Sequence, residues 1–247
     1  AAVILLPILF GNYQQLFLVG FVLGILAIIT FVFVRDAPRL PAEALAKEGD
    51  PAKHPRKIPF TLSLKGFARE FKLYVLAVFI FGLGFMPISL ILLQSQTVGL
   101  GLTAIPLMYF VYSLSFAIFA IPFGHLSDKI GERKVLILGF LSAIIAYIVL
   151  SVFGTVAGVV LGFVIFGLYS AMTDGIQRAL ASKLVSGEQL ASGQGFLNAA
   201  VGISSLLAGL AGGGIWTVLG PQAAFVYGII LMFVGLITFI TYGKNSN

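Results

Sequence analysis

Residues 103–153 read TAIPLMYFVYSLSFAIFAIPFGHLSDKIGERKVLILGFLSAIIAYIVLSVF, in which two apolar runs, 103–123 and 135–153, flank one short polar stretch. A bilayer core of about 30 Å needs roughly 20 apolar residues of helix, and each run has about that length. Strands of a membrane barrel would instead alternate apolar and polar residues over about 10 residues. Because both runs are continuous, they predict two membrane-spanning α-helices.

Apolar runs of similar length recur along the rest of the chain. They predict five more spans, at 14–34, 73–95, 156–178, 195–217 and 222–242, and a partial span at 1–10 whose beginning we expect to be missing from this fragment. The chain is 59% hydrophobic and 10% charged, whereas soluble domains carry roughly 25% charged residues. A water-soluble fold cannot hide this much apolar surface. We therefore expect an all-α membrane protein in contact with the lipid bilayer.

The cationic residues are concentrated in a few of the predicted loops. Of the 15 Lys and Arg residues, nine lie between Arg35 and Lys72, and the others are Lys129, Arg133, Lys134, Arg178, Lys183 and Lys244. Alternating seven helices across the bilayer places all of them on one side, which the positive-inside rule identifies as cytoplasmic. The C-terminus of this multi-pass protein of the cell or inner membrane is therefore predicted to be cytoplasmic. Nucleic acid is not an expected partner, because no aromatic residues are interleaved with these cations.

The segment 36–72 is the long polar part of the chain. It contains five prolines, which forbid one continuous helix, so it is predicted to be a cytoplasmic linker between two bundles. At its end, Leu64, Phe67 and Phe71 have helical spacing. They predict either a surface helix at the headgroups or the first turns of the next membrane span.

The polar stretch 124–134, GHLSDKIGERK, separates the two spans first described. Gly124 and Gly131 permit a tight reversal and a close backbone approach. Asp128 is predicted to lie just past one helix and near the positive N-terminus of the next, where a carboxylate is favourable. The alternative interpretation is an ordinary charged membrane turn.

This stretch resembles the cytoplasmic signature of the major facilitator superfamily, G-x-L-[SA]-D-[RK]-x-G-R-[RK]. The positions that fit are Gly124, Leu126, Asp128, Lys129, Gly131 and Arg133, whereas Glu132 stands where the family usually has a basic residue. In the family the signature follows the second helix of each six-helix half, and here it follows the second predicted span after the linker. The resemblance implies that 1–35 ends an N-terminal bundle that is otherwise missing and that 73–247 forms the C-terminal six-helix bundle.

The resemblance also implies a function. Members of the family are secondary active transporters or facilitators that move a small solute across a membrane by alternating access. The alternative is a transporter-like membrane sensor or scaffold that moves no solute. An enzyme is not expected, because the sequence has no Cys and only two His, His54 and His125, both in predicted loops. No cofactor or metal site is predicted.

Two polar residues near the end of one predicted span are candidates for a cytoplasmic gate. Asp174 and Arg178 lie four residues apart and share a helix face, close to the inner headgroups. In the family, acids and arginines at such helix ends contact the signature loop and close the inner gate. The resemblance thus implies a gate formed by Gly124, Asp128, Lys129, Gly131, Arg133, Asp174 and Arg178. A charged end pair at the headgroups is the simpler alternative.

The substrate cavity would be lined by the first, second, fourth and fifth helices of the half, as the resemblance implies. The cavity candidates are Tyr109, Tyr112, Ser113, Tyr169 and Asn198. A lone Tyr or Ser in a membrane helix more often makes an interhelical hydrogen bond than a ligand contact. No ionisable residue lies deep in a complete span. Coupling to a proton therefore lies in the missing half, or the solute moves by facilitated diffusion or with another ion.

Overall fold

A computed structural model of the chain describes residues 66–101 and 104–242, together with the isolated positions 21, 22, 25, 26, 29 and 30. The chain divides into two units, Ala1–Ser63 and Leu64–Asn247. In the first unit the described positions are helical and exposed, and they fall within the predicted span 14–34. The partial span 1–10 and most of the predicted linker lie outside the described residues.

The second unit is a bundle of α-helices. In chain order the helices are α1 (Arg69–Gly84), α2 (Ile88–Leu92), α3 (Gln94–Thr97), α4 (Ala104–Ile130), α5 (Glu132–Val152), α6 (Val156–Lys183), a short 3-10 helix (Gly187–Gln189), α7 (Leu190–Leu219) and α8 (Pro221–Tyr242). Six candidate membrane spans lie in the described part of this unit, with α1 and α2 counted as one. The predicted all-α membrane fold with a six-helix bundle is confirmed.

Several helices are longer than their apolar runs predict. α4 continues to Ile130 instead of ending at 123, and α5 begins at Glu132 instead of 135. The predicted turn 124–134 is therefore wrong, because polar residues do not by themselves end a helix. The chain reverses at Gly131 alone, whose φ of 94° is readily adopted only by glycine.

The end of the predicted linker is also part of the bundle. α1 begins at Arg69, four residues before the predicted span, and Phe67 and Phe71 are buried. Their rings stack at 4.8 Å, and the Phe67 ring meets the Phe196 ring of α7 edge-on at 5.4 Å. Of the two alternatives for this segment, the structure favours the first turns of a span over a helix on the membrane surface.

The helices pack in the order α4, α6, α5, α8, α1 and α7. Glycines allow the closest approach, because a Cβ atom added at Gly84 of α1 would lie 2.4 Å from the carbonyl oxygen of Gly228 in α8. In the most apolar stretch of each helix, 56% of α5 and 61% of α6 is buried, against 11% of α4 and 17% of α7. Thus α4 and α7 contribute few of their residues to the core of this bundle.

Between α1 and α2 the first span is interrupted at Phe85, Met86 and Pro87. Pro87 has no N–H group, and its ring disfavours a helical conformation at the preceding residue. Phe85 accordingly has extended backbone angles, φ −93° and ψ 90°. The predicted span 73–95 is therefore a broken helix instead of a continuous one.

Candidate functional site

The described Lys and Arg residues gather at one end of the bundle, which we call the basic end. They are Arg69, Lys72, Lys129, Arg133, Lys134, Arg178 and Lys183. Contacts between helix termini define this end: Glu132 at the start of α5 meets Lys183 at the end of α6, and Arg133 meets the end of α8. Gln189, just before α7, donates to the carbonyl oxygen of Gly66, just before α1, at 3.2 Å.

Glu132, the residue that departs from the family signature, forms an ion pair with Lys183. The Glu132 side chain is only 14% exposed, whereas the Lys183 side chain is 64% exposed. The carboxylate also lies in the first turn of α5, where it faces the positive end of the helix dipole. Sequence analysis did not assign a role to Lys183. The signal in the sequence was the acid Glu132 at a position where the family usually has a base, because such an acid indicates a basic partner.

Arg133 joins the start of α5 to the end of α8. Its Nη2 atom donates to the carbonyl oxygens of Phe239 at 2.8 Å and of Ile240 at 3.3 Å. Its guanidinium also lies 5.5 Å from the centre of the Phe239 ring. These contacts lie within the bundle. The predicted gate residue Arg133 therefore binds α8 of its own bundle.

In the part of the chain that the structure describes, the side chains of the remaining gate candidates form no hydrogen bond or ion pair with one another. Asp128 and Lys129 are exposed in the last turn of α4, so the expectation that Asp128 lies beyond that helix is wrong. Asp174 and Arg178 are exposed on α6, and no hydrogen bond or ion pair of their side chains occurs in the described part of the chain. Gly124 is also inside α4, where an added Cβ would meet nothing within 4 Å.

The backbone around Arg178 is held by neighbouring helices. Gln194 of α7 donates from Nε2 to the carbonyl oxygen of Arg178 and to the hydroxyl of Ser182, each at 2.8 Å. The Tyr74 hydroxyl of α1 donates to the carbonyl oxygen of Gln177 at 2.9 Å. These contacts fix the end of α6 while leaving the side chains of Asp174 and Arg178 exposed.

Three of the five cavity candidates belong to one aromatic cluster. The Tyr112 hydroxyl lies 3.0 Å from the Ser170 hydroxyl of α6. The centres of the Tyr112 and Tyr109 rings are 5.8 Å apart. The Phe166 ring joins this group to Tyr169, at 5.4 Å from Tyr112 and 5.8 Å from Tyr169. Tyr109 is 49% exposed, whereas Tyr169 is buried. The cluster thus has an exposed edge and a buried base.

The other two cavity candidates are not part of this cluster. Ser113 is half-buried on α4, and Asn198 is exposed on α7. Beside α7, a cavity of about 480 Å³ is lined by Pro87, Ser89, Leu90, Leu93 and Gly209. This cavity is open to the surface of the bundle, and its lining is mostly apolar. In the ranges 66–101 and 104–242, no group of three His, Asp or Glu residues is placed to hold a metal ion.

Comparison with known proteins gives related sequences and folds. The sequence profile of the Major Facilitator Superfamily matches residues 73–246. An uncharacterised transporter of this type from Methanocaldococcus jannaschii is 31% identical over 229 residues, which is 90% of this chain and 54% of that protein. The inner membrane transport protein YajR of Escherichia coli is 33% identical over 138 residues, which is 56% of this chain and 30% of YajR. The chain thus spans about half of the first relative and less of the second.

Solved structures share the fold. An auto-inhibited POT family peptide transporter superposes with a TM-score of 0.61 at 16% identity, over 72% of this chain and 37% of that one. The POT family transporter PepTSo gives a TM-score of 0.62 at 14% identity, over 71% of this chain and 37% of that one. The profile match, the relatives and the fold agree with the signature at 124–134. The chain belongs to the Major Facilitator Superfamily.

Proposed function

We propose that this chain is the C-terminal part of a secondary transporter or facilitator that moves a small solute by alternating access. Residues 73–247 form one of two bundles, 36–72 is the cytoplasmic linker, and 1–35 ends the N-terminal bundle. The two bundles rock around a site near the middle of the membrane and expose it to each side in turn.

One observation supports this proposal most directly: at the basic end, some charged residues bind helices of their own bundle, whereas others remain exposed. Glu132 and Arg133 bind α6 and α8, so the junction between α4 and α5 is attached to its own bundle. Asp128, Asp174 and Arg178 remain exposed at the same end. A rocking mechanism needs both features, because the bundle moves as one body while its exposed charges make and lose contacts with the other bundle.

The exposed charges form the gate in this proposal. When the cytoplasmic side is closed, Asp128, Lys129, Asp174 and Arg178 contact the N-terminal bundle. Gly124 allows a close approach to α4, since an added Cβ there has no neighbour in the described bundle. When the cytoplasmic side opens, these contacts are exchanged for water and lipid headgroups, which solvate charges at this depth.

The solute cavity is formed in part by the aromatic cluster. Tyr109 and Tyr112 present partly exposed rings on α4, backed by the buried Tyr169, while Ser113 and Asn198 add polar groups on α4 and α7. Hydroxyl and aromatic groups suit a neutral or amphipathic solute. The cavity candidates on this chain carry no formal charge, so the solute is coupled to a proton in the N-terminal bundle, moves by facilitated diffusion, or moves with another ion.

The test of the gate uses the full-length protein in liposomes, with any cysteine encoded outside these residues replaced by Ser. Uptake is screened with radiolabelled sugars, amino acids, organic anions and organic cations. Asp174→Asn should change the rate of uptake, and it should speed maleimide labelling of a single cysteine at Ser113 from the cytoplasmic side. Glu70→Gln, which also removes one acid near the basic end, is the control and should do neither. Unchanged uptake and labelling in Asp174→Asn would exclude Asp174 from the gate, and uptake of no solute would favour a sensor or scaffold.

The orientation in the membrane is tested separately by labelling intact cells. A single cysteine at the exposed Gln96 should react with an impermeant maleimide added outside, and one at the exposed Lys129 should not. Gly99, close by in the sequence, is less suitable for a cysteine, because its φ of 82° is poorly tolerated by residues other than glycine. The opposite labelling pattern would place the basic end outside the cell.

A further inference from the structure

The interruption of the first span leaves several backbone groups without their helical partners, among them the Met86 N–H and the Leu83 carbonyl. In a continuous helix the Met86 N–H would donate to the carbonyl oxygen of Gly82, but Phe85 donates to that oxygen, at 3.0 Å. The carbonyl oxygen of Leu83 would accept from residue 87, which is Pro87 and has no N–H. This donor and this acceptor therefore need partners from elsewhere.

Two tyrosine hydroxyls supply these partners. Tyr147 of α5 accepts from the Met86 N–H at 2.8 Å, and both residues are fully buried. Tyr227 of α8 donates to the carbonyl oxygen of Leu83 at the longer distance of 3.3 Å. In the bilayer core no water replaces such bonds, and an unsatisfied backbone group costs several kcal/mol. The break is thus stabilised from two helices that the family resemblance places outside the cavity.

The Tyr147 ring is held independently of its hydroxyl. It meets the Phe225 ring edge-on at 5.3 Å and stacks on Phe85 at 6.3 Å. A Cβ added at Gly228 would lie 2.6 Å from Tyr147 Cε1, so α8 lies directly against the ring. Removal of the hydroxyl alone, by Tyr147→Phe, therefore leaves the packing in place and tests the hydrogen bond.

We propose that Tyr147 and Tyr227 are positioning residues that fix the break and thereby place the segment Ile88–Thr97. This segment contributes Ser89, Leu90 and Leu93 to the cavity beside α7. Its far end is held by the same helix as the break, because Gln94 Nε2 donates to the carbonyl oxygen of Leu150 at 2.9 Å. The inference concerns the outer helices and does not depend on the proposed transport activity.

Without the Tyr147 hydroxyl, the Met86 N–H has lost its partner, which favours partial rewinding toward the Gly82 carbonyl even though Pro87 opposes a helical Met86. Rewinding turns every residue after Met86 about the helix axis, since each helical residue adds about 100° of rotation. Ser89 would then leave its present position at the cavity. Because the Tyr147 bond is shorter and fully buried, its loss should have a larger effect than loss of the Tyr227 bond.

The test is maleimide labelling of a single cysteine at Ser89 in the full-length protein, in membranes and without any solute. Tyr147→Phe should change the labelling rate about fivefold, the factor that corresponds to about 1 kcal/mol for one hydrogen bond. Tyr227→Phe should change it less. Tyr74→Phe is the matched control, since it removes a hydroxyl from α1 at the basic end, and it should leave the rate within about 1.5-fold, well below 1 kcal/mol.

A second substitution shows whether the effect acts through the break. Pro87→Ala restores an N–H for the Leu83 carbonyl and lets the helix continue, so Tyr147→Phe should have little further effect in that background. Equal labelling of Ser89Cys in the parent protein, Tyr147→Phe and Tyr227→Phe would overturn the proposal, as would an equal change in Tyr74→Phe. If Tyr147→Phe does not accumulate in membranes, Tyr227→Phe alone decides the outcome. Because no solute is added, a negative result is distinct from a failure to transport.

Discussion

Replacement of Arg133 by alanine removes the side chain that joins the start of α5 to the end of α8. The carbonyl groups of Phe239 and Ile240 are among the last four of α8, which have no partner within their own helix. A hydrogen bond from a charged donor contributes about 1.5–3 kcal/mol, and an exposed cation–π contact about 0.5–1 kcal/mol. Water near the headgroups replaces part of both. We therefore expect Arg133→Ala to lower the free energy of unfolding by about 2 kcal/mol.

The measurement is the thermal unfolding midpoint of the purified full-length protein in detergent. For a domain of this size, 1 kcal/mol corresponds to roughly 2–4 °C, so the midpoint should fall by about 4–8 °C. Lys134→Ala is the control, because it removes the neighbouring exposed cation and should shift the midpoint by less than about 2 °C. Arg133→Lys should be intermediate, since it keeps the charge but loses the planar guanidinium. Equal shifts for Arg133→Ala and Lys134→Ala would refute the assignment of these contacts as stabilising.

Two further predictions concern packing and the ion pair at the basic end. Gly84→Val places atoms against the backbone of α8 and should cost about 1–3 kcal/mol in thermal unfolding. Gly213→Ala, with open space at its Cβ, should not lower the stability, because Ala is the better helix former. A similar loss for both would contradict the close approach of α1 and α8. Glu132→Lys should destabilise the bundle by about 0.5–1 kcal/mol. Adding Lys183→Glu should restore only part of the loss, because the reversed pair opposes the dipoles of both helices. Additive effects in this double-mutant cycle would show that the pair contributes nothing.

The six spans of the bundle could be predicted because the length of an apolar run is a local property of the sequence. The helix ends could not be read from hydropathy, since Ser127 and Asp128 are polar yet helical. The helix α4 ends because Gly131 has a positive φ. The sequence alone does not show whether a given glycine will adopt that angle. Gly124, only seven residues earlier, remains helical.

The sequence predicted which residue types lie at the candidate site, but it did not predict which residues contact one another there. The departure at Glu132 indicated a changed contact, but Lys183 lies 51 residues away on another helix. Arg133 was expected to act with Asp174, whereas packing brings it to Phe239. Pro87 is a residue that disfavours a continuous helix, but Tyr147 and its role at the break depend on how α5 faces α1. Which helix faces which is set by shape, and one sequence does not reveal it.

The single-residue connection at Gly131 has a practical consequence for protein engineering. It joins helices of 27 and 21 residues with no spare chain, so an epitope tag or fluorescent domain inserted there would separate Glu132 and Arg133 from α6 and α8. The connection between α6 and α7 is more permissive, because Ser186 and Gly187 are exposed and an added Cβ at Gly187 meets nothing within 4 Å. A reporter inserted between Ser186 and Gly187 should therefore leave the bundle intact and mark the basic end in living cells.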